Sequence, residues 1–119
     1  MNMDIRAIIF DFEKAPDAKT RETLCKLRRR GYKLAANCAC GACDVVFESG
    51  EEGERTCFLR AAELLHVPPH TCAVVECACE RLLAAKDSGM KTIGVLNAKN
   101  CIYADTCIND FSELTDIFA

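Results

Sequence analysis

Three cysteines fall within NCACGAC, residues 37–43: Cys38, Cys40 and Cys43. Cys40 and Cys43 have the C-x-x-C spacing shared by redox pairs and zinc knuckles. A second cluster, Cys77-Ala78-Cys79, lies further along the chain. Thiolates at such spacing bind soft cations or exchange disulfides. A redox C-x-x-C normally opens a helix, which lowers the thiolate pKa. Here an apparent strand follows at once, and a complete zinc site would need a second pair. Two readings stay open: small apolar residues filling a short loop, or metal and thiol chemistry.

Several elements must position these residues. IRAIIFDF, 5–12, is a continuous apolar run that predicts a strand buried on both faces of a sheet. DAKTRETLCKLRRR, 17–30, predicts an amphipathic helix closed by Gly31. Strands are expected at 32–36, 44–47, 71–76 and 91–96, with a short sixth at 106–110. Helices are expected at 55–65, 79–90 and 111–118, and Pro68 and Pro69 end the first of these. Strands alternating with helices predict one three-layer α/β domain, 1–119, with a mostly parallel sheet. The strand beginning at Ile5 should lie between those at Lys33 and Cys72. The segment DVVF, 44–47, does not fit easily, because residues 38–43 are too few for an ordinary parallel crossover. It is expected to pair antiparallel, lie outside the sheet, or not form a strand.

The sheet edge reached by both cysteine clusters would also carry Asp11 and Glu76. If the strands preceding the clusters flank the one ending at Asp11, Cys38, Cys40, Cys43, Cys77 and Cys79 can gather around these acids. Zinc would then have thiolate ligands and relieve the negative charge. Without metal, the acids should raise the thiol pKa values. Cys25, Cys57 and Cys72 sit among apolar neighbours and are read as small core residues. His66 and His70, beside prolines, are read as exposed loop positions.

The net charge of −3 and a pI near 5.4 give no general attraction to nucleic acid. The one basic cluster, residues 26–30, is read as a solvated helix end complementing the helix dipole. No apolar run is long enough to span a bilayer. MNMDIRAIIFDF lacks the features of a signal peptide, so a cytoplasmic protein with reduced thiols is expected despite its 10 cysteines.

AIIFDF (7–12), FLRAAELLHVPPHTCAVVECACERLLAAKDSGMKTIGV (58–95) and YADTCINDFSEL (103–114) together resemble the haloacid dehalogenase (HAD) superfamily, of the β-phosphoglucomutase and small phosphatase type. The resemblance covers nearly the whole chain. It implies a Rossmann-like core, an aspartate nucleophile after the first strand, an acid two residues later as general acid–base, a hydroxyl after the second strand, a phosphate-binding lysine, and an acid pair holding Mg²⁺ after the fourth strand.

By that resemblance the nucleophile is Asp11 and the general acid–base is Glu13, an acid with a longer arm than the family's aspartate. Asn37 or Cys38 stands at the hydroxyl position. The lysine position falls on Glu52, a charge reversal, with Arg55 as the nearby cation. The metal position holds Asp11, Glu76 and Cys77, where a thiol replaces a hard oxygen ligand. The short segment between Asp11 and the first helix implies a core without a cap domain, whose open edge would face a small phosphorylated molecule or a protein partner. Self-association stays open. The expected function is a phosphatase-type HAD homologue with impaired or lost Mg²⁺-dependent phosphoryl transfer. The alternatives are a non-catalytic binding or regulatory module, and a zinc or thiol site on the former active edge.

Overall fold

In the computed structural model the described residues are 4–48 and 54–119, with side chains described at 4–48 and 56–119. Six strands form one sheet in the order β3-β2-β1-β4-β5-β6, and every adjacent pair is parallel. They are β1 (Ala7–Asp11), β2 (Lys33–Ala36), β3 (Val45–Val46), β4 (Cys72–Glu76), β5 (Lys91–Val95) and β6 (Thr106–Ile108). The helices are α1 (Ala18–Arg29), α2 (Glu54–Leu64), α3 (Cys79–Asp87) and the short α4 (Leu114–Ile117).

β1 lies centrally, as the pattern predicts, with Ile8 opposite Leu34 on β2 and Ala73 on β4. All five of its residues are buried, which accounts for the unbroken apolar run. Alternate side chains feed two cores. Ile8 and Phe10 pack with Leu24 and Leu27 of α1 and Leu114 of α4. Ala7 and Ile9 pack on the other face with Phe58, Ala61 and Leu65 from the α2 region and Ala85 of α3. The result is a three-layer α/β domain. No helix among the described residues is long and apolar enough to cross a membrane.

Two expectations are corrected here. β3 pairs parallel with β2, Ala35 opposite Val45 and Ala36 opposite Val46. A two-residue strand needs only a short return along the sheet, so the long crossover that full-length parallel strands demand does not apply. Asp44 fixes the return: its carboxylate accepts from the Leu34 N–H at 2.8 Å, and its own N–H donates to the Leu34 carbonyl. Cys25 is exposed rather than in the core, because Leu24 and Leu27 turn α1's apolar stripe away from it.

The basic end of α1 makes specific contacts. Arg28 pairs with Asp44 at 3.0 Å, and Arg30 donates to the Phe118 carbonyl at 2.9 Å, which ties α1 to the chain's last residues. Beyond β5 the chain folds tightly back, and a Cβ at Gly94 would overlap the Ala98 carbonyl oxygen. This return brings Cys101 to the N-terminus of α3. There it forms a disulfide with Cys79, Cα–Cα 5.5 Å. Cys79 is therefore not one of the free thiols the sequence suggests. Nothing in the helical or strand periodicity marks it for pairing with a residue 22 positions away.

Candidate active site

The parallel register places Asp11, the last residue of β1, directly opposite Glu76, the last residue of β4. Both point into the interior at the carboxyl edge of the sheet, with side chains 6 % and 2 % exposed. Two buried carboxylates this close require a cation or a shared proton. Arg81 supplies the cation from the first turns of α3. Its Nε donates to Asp11 Oδ2 and to Glu76 Oε2, the latter at 3.0 Å. The guanidinium also lies over the Phe58 ring, 5.6 Å from its centroid. Burial opposes the charged guanidinium, but Asp11 and Glu76 more than offset this and raise its pKa.

Glu76 also holds the chain entering α3. Its Oε1 accepts from the backbone N–H groups of Cys77 and Ala78, the two residues before the helix, at 2.9 and 3.1 Å. Burial, then the adjacent Asp11, push the Glu76 carboxyl up to about 8 against the pull of Arg81. Burial and the neighbouring acid thus favour the protonated form of Glu76, and Arg81 opposes them.

Asn37 lies just past β2. Its Oδ1 accepts from the Phe12 N–H and its Nδ2 donates to the Phe12 carbonyl, both at 2.8 Å. This reciprocal pair fixes the backbone leaving Asp11. Cys77 lies beside the acids, its Sγ 3.7 Å from oxygens of both Glu13 and Glu76. Burial, then Glu76 and Glu13, push its thiol up to about 11. A cleft of about 300 Å³ collects Asp11, Glu13, Asn37, Glu76, Cys77, Arg81 and Asn97. A second cleft of about 470 Å³ shares Asp11, Glu13 and Cys77 and runs past Lys14, Leu96 and Phe111.

Asp11, Glu13, Asn37, Glu76 and Cys77 thus converge. Cys40 and Cys43 pair with each other instead, and Cys79 is bonded to Cys101. Glu52 and the side chain of Arg55 lie outside the described residues. Sequence reasoning missed Arg81. The available signal was its place in the first turns of a helix that starts three residues beyond Glu76, within reach of the strand end for a long side chain. Asn97 was also missed.

The six-stranded order, with β1 flanked by β2 and β4 and carboxylates at the shared edge, decides the fold. The protein has the HAD core fold. It is similar to a HAD-like hydrolase from Streptococcus pneumoniae at 13 % identity and TM-score 0.77, covering 99 % of this chain and 100 % of that one. It is similar to the cobalt-bound deoxy-D-mannose-octulosonate 8-phosphate phosphatase of Haemophilus influenzae at 14 % identity and TM-score 0.75, covering 97 % and 87 %. A β-phosphoglucomutase from Clostridium difficile matches at 19 % identity and TM-score 0.68, covering 78 % of this chain and 49 % of the mutase, so the chain spans about half of that enzyme's length. No family model and no curated protein sequence matches.

A Mg²⁺ ion, which the resemblance implies, does not fit this donor set. The two carboxylates that would ligate it face the Arg81 guanidinium, and the third metal position holds Cys77, whose thiol is raised to about 11 and is a poor ligand for a hard cation. Among the described residues no three His, Cys, Asp or Glu side chains are grouped to hold a metal ion. The zinc site, one of the two readings that the cysteine clusters left open, therefore has no support among the described residues. The thiols are divided among Cys40 and Cys43 with Cys38 beside Cys40, a disulfide, and Cys77 beside acids.

Proposed function

We propose that this is a phosphatase-type HAD homologue in which Mg²⁺-dependent phosphoryl transfer is impaired or lost, with Arg81 standing in the place of the catalytic cation. One observation carries the reading: the Arg81 guanidinium bridges the Asp11 and Glu76 carboxylates. An attacking carboxylate needs an unencumbered oxygen in line with phosphorus. Here Asp11 Oδ2 is held by a fixed charged donor, and the guanidinium's charge is spent on acids of its own site. A phosphate approaching the edge would also meet Glu13, and the position where the resemblance expects the phosphate-binding lysine holds Glu52. Removing one such electrostatic donor from an active site costs about 10²–10³-fold in kcat. The open edge is then a binding surface, facing a small phosphorylated molecule or a protein partner.

The test is phosphate release from a panel of phosphomonoesters, with and without Mg²⁺, by the wild type and Asp11→Asn. Equal, background-level rates are expected throughout. Mg²⁺-dependent turnover that disappears in Asp11→Asn would overturn the reading.

A further inference from the structure

NCACGAC takes no part in the Asp11–Glu76–Arg81 cluster, apart from Asn37 at its start, yet the structure gives it a defined geometry. Gly41, with φ of +76°, turns the chain between Cys40 and Cys43, a conformation that favours glycine. The turn brings the two sulfurs to 3.5 Å. Both side chains are partly exposed, so small reagents can reach them. The segment is pinned on either side of the pair: Asn37 is bonded to the Phe12 backbone, and Asp44 to the Leu34 backbone. A bond between the sulfurs would close inside these anchors and leave the sheet untouched. The same domain already carries one disulfide, Cys79–Cys101.

We infer that Cys40 and Cys43 form a dithiol site that is oxidised by low-molecular-weight disulfides of the glutathione class and closes to an intramolecular disulfide. The inference is independent of the function proposed above. In the first step the Cys40 sulfur, having released its proton to solvent, attacks one sulfur of the external disulfide. That S–S bond breaks, leaving a mixed disulfide on Cys40 and one small thiolate, which takes up a proton. In the second step the Cys43 sulfur loses its proton and attacks the Cys40 sulfur. The Cys40–Cys43 bond forms and the second small thiolate leaves and is protonated. Two protein thiols are oxidised, and one external disulfide is reduced to two thiols.

Cys40 attacks the external disulfide first, because burial and then the neighbouring Cys40 sulfur raise the Cys43 thiol and hold it for the second step. No helix begins at this pair, since β3 follows. The thiolates therefore lack the dipole that stabilises the reduced form of strongly oxidising C-x-x-C pairs. The pair should react slowly but favour the disulfide at equilibrium. Cys38 interacts with Cys40, and burial raises its thiol too, so it competes weakly.

The test is peptide mapping of the full chain after incubation with oxidised glutathione. The expected product is a Cys40–Cys43 crosslink with loss of two hydrogens, while the exposed Cys25 and Cys107 carry added glutathione without a crosslink. Cys43→Ser should trap glutathione on Cys40. In the reduced wild type, phenylarsine oxide, a reagent for adjacent dithiols, should bind and protect both cysteines from alkylation. Glutathione retained on Cys40 in the wild type, a crosslink through Cys38, or unmodified Cys40 and Cys43 would each overturn the inference.

Discussion

Arg81→Leu is expected to lower the unfolding free energy by about 3–5 kcal/mol at neutral pH, the typical cost of leaving a buried charge without its partner. The Asp11 side chain is only 6 % exposed, so water replaces the guanidinium poorly. The two acids would then share a proton as a like-charged dyad. The loss should therefore shrink at acid pH, where both carboxyls are protonated. It should also be recovered in large part by adding Asp11→Asn, which removes the stranded charge. Urea denaturation at neutral and acid pH measures all three variants. A loss below about 1 kcal/mol would place Arg81 among ordinary surface ion pairs and remove the basis for its role at the site.

Glu76→Gln is expected to flatten the pH dependence of stability and to stabilise the protein in mild alkali. The folded-state pKa of Glu76, about 8, lies above its ordinary value of 4.5. Between these values the folded state binds more protons than the unfolded state, so stability falls as pH rises. The contribution is fully present below the ordinary value and is lost as pH rises through about 8. At about 1.4 kcal/mol per pKa unit, the swing is at most roughly 5 kcal/mol. Glutamine keeps the acceptor for the Cys77 and Ala78 N–H groups and cannot ionise. Unfolding free energies from pH 5 to 9 should decline in the wild type and stay nearly level in Glu76→Gln. Parallel curves would show that Glu76 is already ionised at neutral pH.

The order of the central strands was legible because each buried parallel strand is a short apolar run and each helix carries an apolar stripe. The convergence of Asp11, Glu13, Asn37, Glu76 and Cys77 followed from that order, since all five leave neighbouring strands at one edge. What remained hidden depends on side-chain reach and loop return. Arg81 looks like any helix surface cation until α3 is placed against β4. Cys101 meets Cys79 because of the close approach at Gly94, which no periodicity reports. β3 was obscured by a rule suited to full-length strands. Asn37, which stands at the hydroxyl position of the resemblance, also bonds the Phe12 backbone, a pairing visible only once β1 and β2 end side by side.

The central claim, that Arg81 fills the place of the metal between Asp11 and Glu76, is tested most directly by calorimetric titration of the wild-type protein with Mg²⁺. The account predicts no saturable binding at millimolar concentrations and no change in Tm. Stoichiometric Mg²⁺ binding that raises Tm and is abolished by Asp11→Asn would contradict it.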